Sequence, residues 1–343
     1  MNETQQKIYE LLKRKAYSRF ELANIIGVSE KTIRNYIPEL QREIDEDIIS
    51  MPQESGTVKY FLANTIVDKT FPNKKKTFSF IDANSPNPFM FIRIPDDICG
   101  FDHDRELEKI DIIPVADLHY GHVYSNVKYF QDWINWIAKN DHVFPFCIGD
   151  LMEQATKLSI SDGIYYQNLT PQEQIFKSAE FLYPIADKIL FMTRGNHEKR
   201  QTAVGLDVME MVAKLIHCVY KRMTCQMVIQ WREHNWSFYC FHGNTSSRTE
   251  GGKMNAALRP RTFNDFRHFL VSAHVHDKTV KEYMVEVNDL EKMETKLLKA
   301  YLIITGSFLN YYGTYAHEKN YAPGVPGCVK LSLYEDGDVH ISL

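Results

Sequence analysis

The stretch Phe191-Met-Thr-Arg-Gly-Asn-His-Glu-Lys-Arg200 decides the fold of the larger part of this chain. The apolar residues that lead into it predict a buried strand, and Gly195 allows a sharp turn directly before Asn196, His197 and Glu198. Open α/β folds carry their functional sites at the carboxyl ends of such strands. A turn rich in Asn and His is more often an ordinary surface loop, so this segment gains its meaning from the strand ends around it.

Five predicted strands each end in side chains of the types that bind metal ions. The strands are expected at residues 111–116, 143–148, 189–192, 236–241 and 269–273, from their apolar runs and flanking turn residues. Carboxylate, imidazole and amide groups all bind divalent metals. One such strand end is common, but five in succession predict a shared site. The strand ends are Asp117-Leu-His119, Gly149-Asp150, Gly195-Asn196-His197-Glu198, His242-Gly243 and His274-Val-His276.

These strand ends resemble the motifs of the calcineurin-like metallophosphoesterase superfamily, over about residues 105–343. The resemblance implies an α/β fold, a four-layer α/β/β/α sandwich, with two divalent metal ions at the strand ends. Mn²⁺ is the first candidate, and Fe, Zn, Ni or Mg are the others. Ala273 stands where the family has a glycine, which affects the turn and not the ligands. The implied ligands are Asp117, His119 and His276 for one ion, Asn196, His242 and His274 for the other, and Asp150 for both.

The same resemblance implies that His197 lies near the leaving group, as a proton donor or a stabiliser of the transition state. Family members often carry a carboxylate three residues after the shared aspartate, so we expect Glu153 to orient His197, with Glu198 as the alternative. Each glutamate would otherwise be an ordinary surface charge. The residue types suit the chemistry, because two bound cations activate water near neutral pH and neutralise a phosphate group.

Cationic and aromatic side chains near the strand ends are candidates for substrate binding. Lysines and arginines suit phosphate-rich substrates, and tyrosines can stack on nucleic-acid bases. Solvated charged loops, and tyrosines that pack a loop against the sheet, are the competing interpretations. The candidates are Lys199, Arg200, Lys253, Arg259, Arg261, Tyr311 and Tyr312.

Residues 1–62 predict a separate small domain with three helices and two strands. The Gly27-Val-Ser29 connection between two short helices is typical of a helix-turn-helix. Two short strands, at Ile48-Ile49 and Val58–Leu62, would form a wing. The segment resembles the α+β winged-helix modules of bacterial regulators. On that resemblance the base-contacting residues, at the start of the third helix, would be Lys31, Thr32, Arg34 and Asn35.

The charge of residues 1–62 leaves a second interpretation open. The segment holds nine Lys or Arg and ten Asp or Glu residues, a net charge of −1. DNA-binding domains are usually basic, because phosphate contacts carry much of their affinity. The fold would then serve dimerisation, giving a possible homodimer, or docking to another protein.

The rest of the chain carries fewer signals. Residues 63–108 predict a linker, with Phe89–Ile94 as a possible edge strand of the domain at 109–343. The net charge of −4 gives no bulk attraction to nucleic acid or membranes, and no apolar run is long enough to span a bilayer. Six scattered cysteines without a C-x-x-C pair, and no signal-peptide core, predict reduced thiols in a cytoplasmic protein.

Together these features favour a nuclease or phosphodiesterase that acts on nucleic acid, DNA before RNA, with the winged helix as its targeting module. One alternative is a phosphomonoesterase, or a phosphodiesterase of cyclic or small nucleotides. Another is a DNA-binding regulator in which the phosphoesterase fold serves as a sensor. A partner ATPase stays open, and the composition is also similar to that of phosphoesterases from phages and mobile elements of low-GC bacteria.

Overall fold

The chain forms two compact units, Met1–Asn73 and Lys74–Leu343, in a computed structural model. Each unit has its own hydrophobic core and is described by itself below. The structure describes residues 1–14, 17–44, 48–52, 57–62, 71–83, 87–157, 159, 163–247, 249–290 and 292–343.

The first unit packs three helices against a small antiparallel sheet. Ser18 caps the second helix through a reciprocal capping box with Glu21, and Gly27 ends that helix in the left-handed region at φ +79°. Ile8, Leu22 and Leu40 are among the fully buried core residues. The predicted helices and strand pair are thereby confirmed, and a short strand joins the sheet in the order β1-β3-β2. The elements are α1 (Glu3–Leu12), β1 (Tyr17–Ser18), α2 (Arg19–Ile26), α3 (Glu30–Glu43), β2 (Ile48–Pro52) and β3 (Val58–Leu62).

The second unit contains two sheets, of seven and six strands. Three strands of each sheet run in parallel and end at the candidate site. Five of these six ends are those expected from the sequence, although the strand expected at residues 189–192 is observed at Met192–Thr193. The seven-stranded sheet is β13 (Thr279–Asp289), β14 (Glu294–Ile304), β12 (Phe269–Ser272), β11 (His234–Phe241), β10 (Thr224–Trp231), β5 (Phe89–Ile94) and β4 (Ser79–Asp82), in that order. The six-stranded sheet is β16 (Val339–Ser342), β15 (Lys330–Tyr334), β7 (Leu107–Val115), β8 (Val143–Ile148) and β9 (Met192–Thr193), with β6 (Gly100–Asp102) paired to β7.

Residues of both sheets share one hydrophobic core. Side chains alternate along β10, so that Met227, Ile229 and Trp231 are buried while their neighbours are half-buried. Phe146 of β8 and Phe238 of β11 join the same cluster from opposite sheets. Burying each such side chain contributes about 1.5–3 kcal/mol, so this shared core holds the two sets of strand ends at one end of the unit.

The helices of the second unit cover parts of the sheets. Ala257, in the helix Glu250–Leu258, packs with Leu270 and Leu302 of the seven-stranded sheet. The buried Lys188 ammonium lies at the end of the helix Val127–Lys139, where it donates to the carbonyl oxygens of Ile137 and Asn140 at 2.9 and 3.0 Å. The helices are α4 (Val127–Lys139), α5 (Pro171–Leu182), α6 (Asn196–Lys199), α7 (Val208–Leu215), α8 (Glu250–Leu258) and α9 (Tyr315–Glu318).

The structure differs from the expected linker over residues 74–108. β5 pairs in parallel with six residues of β10 on one side and with β4 on the other, so it is not the edge strand of its sheet. The reason is burial, because Met90, Ile92 and Ile94 contribute to the shared core. Residues 74–108 therefore belong to the second unit, and residues 63–70 of the expected linker lie outside the described residues.

Two further expectations from the sequence concern the cysteines and membrane-spanning helices. All six cysteines are unpaired, and four of them are buried. No helix within the described ranges is long and apolar enough to cross a membrane.

Candidate metal centre

Backbone hydrogen bonds tie the loops after the strands to one another. The Asp117 amide donates to the Gly149 carbonyl at 3.2 Å, and the His119 amide donates to the Asp150 carbonyl at 3.0 Å. The two sheets are joined as well, because the His274 amide donates to Asp117 Oδ2 at 2.9 Å. The loops after β7, β8 and β12 are therefore held together by hydrogen bonds between them.

Five residues of these loops adopt the left-handed backbone region although none is glycine. The φ angles of Asp117, His119, Asp150, His274 and His276 lie between 50° and 76°. This region costs an ordinary residue about 1–2 kcal/mol, and such strain is found where the surrounding structure enforces it, often at functional sites. The five strained residues are also members of the candidate metal-binding groups described below.

Two glycines allow the loops after β8 and β9 to approach closely. A Cβ atom on Gly149 would lie 2.4 Å from the backbone nitrogen of Gly195. A Cβ atom on Gly195 would lie 2.1 Å from Asp150 Oδ1. Both distances are far below van der Waals contact, so only glycine fits at either position.

The first group of converging side chains is Asp117, His119 and His276. The Nε2 atoms of His119 and His276 are 3.0 Å apart, and they lie 3.8 and 3.4 Å from Asp117 Oδ1. That carboxylate oxygen is buried and has no hydrogen-bond partner among the described residues. A buried anionic oxygen without a donor is costly, and a cation between these three atoms would remove that cost.

The second group is Asp150, His242 and His274. His242 Nε2 lies 3.1 Å from Asp150 Oδ2 and 3.1 Å from Asn196 Oδ1. The His274 ring packs edge-on against the His242 ring, with 5.2 Å between their centroids. An amide oxygen, a carboxylate oxygen and imidazole nitrogens thus surround one point.

The tautomers of two histidines test whether a metal ion fits this site. His242 Nδ1 donates to the Ile148 carbonyl at 2.8 Å, and His119 Nδ1 donates to the Glu153 carboxylate at 3.1 Å. Each neutral ring therefore presents the lone pair of Nε2 to a carboxylate oxygen. Two lone pairs repel each other unless a proton or a metal cation lies between them, and metal-binding histidines are held in this way through their other nitrogen. The residues fit a divalent metal.

The electrostatics of the ligand side chains agree with that fit. Burial would raise the pKa of Asp150, but His242 and His197 hold it well below its usual range. Burial would likewise lower the pKa of His242, but Asp150 raises it to about 10. Burial is the main cause that lowers the pKa of His119, to about 4. The site therefore carries carboxylate charge that attracts a cation.

A third group, His119, Glu153 and His197, is a hydrogen-bonded network. Glu153 Oε2 lies 3.1 Å from His119 Nδ1 and 3.2 Å from His197 Nδ1. Arg200 donates to Glu153 Oε1 at 3.0 Å and to His197 Nε2 at 3.0 Å. Because Arg200 donates to both Glu153 and His197, this group holds the His197 ring in place.

Two opposing influences act on His197. Burial would lower its pKa, but Asp150 and Glu153 raise it. The Arg200 guanidinium beside Nε2 disfavours a proton at that nitrogen. In this structure both ring nitrogens have partners, because Nδ1 also lies 3.0 Å from the Glu153 carbonyl oxygen.

Glu198 has a different position from the one considered in the sequence. Its carboxylate accepts hydrogen bonds from the amides of Asp150 and Gly195 at 3.0 and 2.9 Å, and from Met152 at 3.0 Å. Three backbone donors occupy the carboxylate, so it does not orient the His197 ring. Glu153 is the carboxylate beside that ring.

Two cavities meet at the candidate ligands. The His122 cavity, of about 210 Å³, is lined by residues that include His122, Glu153 and Arg200. The Tyr311 cavity, of about 310 Å³, is lined by residues that include Tyr311 and Lys253. The residues that line both cavities are His274, His276, Leu309 and Thr314.

The structure brings three of the substrate-binding candidates to these cavities. Arg200 lines the His122 cavity, and Tyr311 and Lys253 line the Tyr311 cavity. Lys253 is paired there with Asp277, at 3.2 Å between Nζ and Oδ2. The other four candidates line neither cavity, because their side chains lie on the surface: Lys199, Arg259, Arg261 and Tyr312.

Two of these surface residues have aromatic partners instead. The Arg261 guanidinium lies over the Tyr283 ring, 4.7 Å from its centroid. Tyr312 is 76% exposed, and its ring packs edge-on against the ring of Tyr311. The positive charge or aromatic ring of a residue was therefore not enough to predict whether its side chain lines a cavity at the site.

Sequence reasoning did not assign several residues that the structure places at the site. His122 and Tyr166 line the His122 cavity, and Ser307 Oγ donates to the Asp117 carbonyl at 2.8 Å. The signal for His122 was its place three residues after His119. Ser307 follows β14, a strand end without a metal-binding residue type, so no sequence signal marked it.

The candidate base-contacting residues of the first unit share part of one helix. Lys31, Arg34 and Asn35 are exposed on α3. Thr32 is half-buried, and its hydroxyl oxygen lies 2.9 Å from that of Ser29, the N-cap of α3.

Paired sheets with carboxylate and histidine clusters at their strand ends define an α/β protein with a candidate metal site. Residues 110–321 match the family described as calcineurin-like phosphoesterase, and this segment contains all three clusters. The chain belongs to the calcineurin-like phosphoesterase family. No curated protein matches the sequence. The protein is therefore a metal-dependent phosphoesterase, a hydrolase of phosphoester bonds.

Proposed function

We propose that the site holds two divalent metal ions, manganese first among the candidates, and cleaves phosphodiester bonds of nucleic acid, DNA before RNA. Asp117, His119 and His276 would hold one ion, and Asn196, His242 and His274 the other, with Asp150 shared. Ions held there would activate water and neutralise the charge of the phosphate group. The proposal includes the four-layer α/β/β/α arrangement of the second unit.

The observation that carries the proposal is the position of the Asp150 carboxylate. Its Oδ2 lies 3.1 Å from His242 Nε2, while its Oδ1 accepts the His197 amide at 2.8 Å. The other ligand group begins at the His119 amide, which donates to the Asp150 carbonyl oxygen. Asp150 thus belongs to the second ligand group, and it also bonds the backbone of His119 in the first group and the backbone of His197.

The two cavities support a diester as the substrate. A phosphodiester carries one organic group on each side of its phosphorus, whereas a monoester carries one. The cavities of about 210 and 310 Å³ share His274 and His276, and most of their other lining residues differ. Each cavity offers space for one ester substituent of a substrate whose phosphate lies at the shared residues.

The first unit supports nucleic acid as the substrate. We infer that it is a winged-helix domain that brings DNA to the enzyme, with Lys31, Arg34 and Asn35 exposed on its third helix. Thr32 bonds the N-cap residue and contributes less directly. The net charge of −1 over residues 1–62 favours the alternative, in which this unit serves dimerisation or docking.

One experiment tests the activity and its substrate together. The manganese-loaded protein is incubated with bis-p-nitrophenyl phosphate, p-nitrophenyl phosphate, a cyclic nucleotide, and labelled single- and double-stranded DNA. We expect hydrolysis of the diester and of DNA, and loss of both in Asp150→Asn, because that change removes the shared charge. Metal analysis of the wild type should give two bound ions per chain.

The competing functions give different results in the same experiment. Turnover of the monoester with intact DNA would contradict the nuclease proposal and identify a phosphatase. Turnover of the cyclic nucleotide alone would identify a small-nucleotide phosphodiesterase. Bound metal with no turnover of any ester would favour a sensor domain of a regulator.

A further inference from the structure

A histidine outside the strand-end motifs lies in the same cavity as the candidate ligands. His122 is 8% exposed and lines the His122 cavity together with Asp150, His197 and His276. Its backbone is fixed, because its amide donates to the His119 carbonyl at 2.9 Å and its carbonyl accepts the Ser125 amide at 3.0 Å. The position of its ring is therefore set by the same turn that places His119.

The surroundings of the His122 ring determine which nitrogen carries the proton. The Tyr124 backbone N–H donates to Nδ1 at 3.1 Å, so the neutral ring carries its hydrogen on Nε2. One face stacks on the Tyr166 ring, with centroids 5.9 Å apart and 16° between the planes. The edge that carries Nε2 is left to face the cavity.

This N–H group has no partner among the residues that the structure describes. His122 makes one side-chain hydrogen bond, and that bond uses Nδ1. Nε2 is not one of the fully buried side-chain atoms that lack a partner, so it is open to the cavity, where water or a ligand can accept its hydrogen. In a cavity that also presents metal-binding side chains, the matching ligand group is an oxygen of a phosphoester.

Two neighbouring polar side chains of the cavity are already engaged. His197 has Glu153 at Nδ1 and Arg200 at Nε2. Arg200 in turn bonds both the carbonyl and the carboxylate of Glu153. His274 and His276 are proposed metal ligands, so His122 is the remaining histidine of this cavity whose N–H can bind substrate without breaking a bond to a described residue.

We propose that His122 contacts the substrate and donates its Nε2–H to an oxygen of the phosphoester group. This inference rests on the proposed function, which places the phosphoester at the candidate ligands. The proton stays on the ring, because a neutral imidazole that released it would become an anion. His122 thus binds and orients the phosphate, and no bond is made or broken at this residue.

Three substitutions separate this contact from a structural role. In His122→Gln the amide nitrogen of the longer side chain lies near the place of Nε2 and keeps a donor there. In His122→Asn the amide group reaches only the place of Nδ1. His122→Phe keeps a ring to stack on Tyr166 but has no donor. Tyr165→Phe, on an 83% exposed side chain, serves as the control.

The measurement is kcat/KM for bis-p-nitrophenyl phosphate with manganese, together with inhibition by inorganic phosphate. We expect His122→Asn and His122→Phe to lose about ten- to a hundredfold in kcat/KM and to bind inorganic phosphate more weakly, as for loss of a hydrogen bond to a charged group. His122→Gln should stay within about fivefold of the wild type, as should the control. Bound metal and the midpoint of thermal unfolding should be unchanged in all four.

The outcomes distinguish this inference from the proposed function. If wild type does not hydrolyse the diester with manganese, iron, zinc, nickel or magnesium, the proposed function fails and the contact with it. If the wild type turns over and His122→Asn and His122→Phe match it, the inference alone is overturned. Equal losses in all three His122 variants would also overturn it, because the donor that His122→Gln keeps near Nε2 would then not contribute to kcat/KM.

Discussion

Glu198 Oε2 accepts hydrogen bonds from the backbone amides of Asp150 and Gly195, at 3.0 and 2.9 Å. One buried carboxylate therefore joins the loop after β8 to the loop after β9. The loop after β8 supplies the shared aspartate, and the loop after β9 supplies Asn196 and His197. Burial, and then the nearby Asp150, raise the pKa of Glu198, which shows the electrostatic cost of placing this carboxyl group here.

Replacing Glu198 with Gln should destabilise the protein and lower its activity. The amide has one acceptor oxygen where the carboxylate uses two, so an NH₂ group would face the amide of Met152, Asp150 or Gly195. We expect a loss of about 1.5–3 kcal/mol in the free energy of unfolding, measured by urea denaturation. Glu210→Gln, at a half-exposed pair with Lys214, should change it by less than about 1 kcal/mol. Similar losses in both variants would mean that the loop junction has no special role.

Gly195→Ala should abolish most activity, because its Cβ would lie 2.1 Å from Asp150 Oδ1. The carboxylate must move away from the candidate ligands, so we expect metal affinity to fall together with turnover. Gly251→Ala is the matched control, since a Cβ there meets nothing within 4 Å and the position is helical. The control should stabilise the protein by about 0.5–1 kcal/mol. Metal binding by calorimetry decides the case, and wild-type affinity in Gly195→Ala would contradict the close approach.

Glu153→Gln should weaken metal binding and slow turnover, although Glu153 is not itself a proposed ligand. Burial would raise the pKa of Glu153, but His197 and His119 lower it strongly, so the group is an anion at neutral pH. The anion orients His119 and His197 and pairs with Arg200. Loss of such an orienting partner costs about 10–100-fold in metal affinity or activity.

The control for Glu153→Gln is Glu173→Gln, at an exposed capping residue of α5. It should leave metal affinity and kcat unchanged. Wild-type metal affinity and turnover in Glu153→Gln would show that the network with Arg200 is unnecessary.

The metal-free protein should lose stability as the pH rises above neutrality. Burial alone would lower the pKa of His242, but Asp150 raises it from 6.5 to about 10. A raised folded-state pKa gives stability that is complete below pH 6.5 and is lost as the pH approaches about 10. Urea titrations in EDTA should show the free energy of unfolding falling over this interval. The fall should be shallower in His242→Gln, and equal slopes would contradict the Asp150–His242 interaction.

Removing residues 1–73 should preserve hydrolysis of bis-p-nitrophenyl phosphate, because Lys74–Leu343 has its own core and contains the site. Cleavage of DNA should weaken if the first unit delivers it. Removing residues 1–108 instead deletes β4 and β5, whose Met90, Ile92 and Ile94 belong to the shared core. That shorter protein should fail to fold, as judged by circular dichroism. Full activity after the longer deletion would place the domain boundary near residue 108.

Local patterns in the sequence were sufficient for the first-unit helices and for most strands that end at the site. Ser18, Gly27 and Ser29 marked helix ends because caps depend on a few neighbouring residues. The strand Val143–Ile148 was predicted with its observed bounds, since a short apolar run between turn residues is a local signal. Phe89–Ile94 was predicted as a strand, but its place inside the sheet depends on the distant β10.

The sequence determined which residue types stand at the strand ends, because each motif lies within a few neighbouring positions. It therefore predicted which side chains converge at the candidate ligand groups, and the family to which the chain belongs. Only the tertiary structure decided that Glu198 joins two loops, that His122 shares the cavity of His197, and that Arg259 lies outside it. Those relationships depend on residues that are distant in the chain, or on the direction in which a side chain points. Both are set by packing and by hydrogen bonds between loops, and no local sequence pattern records them.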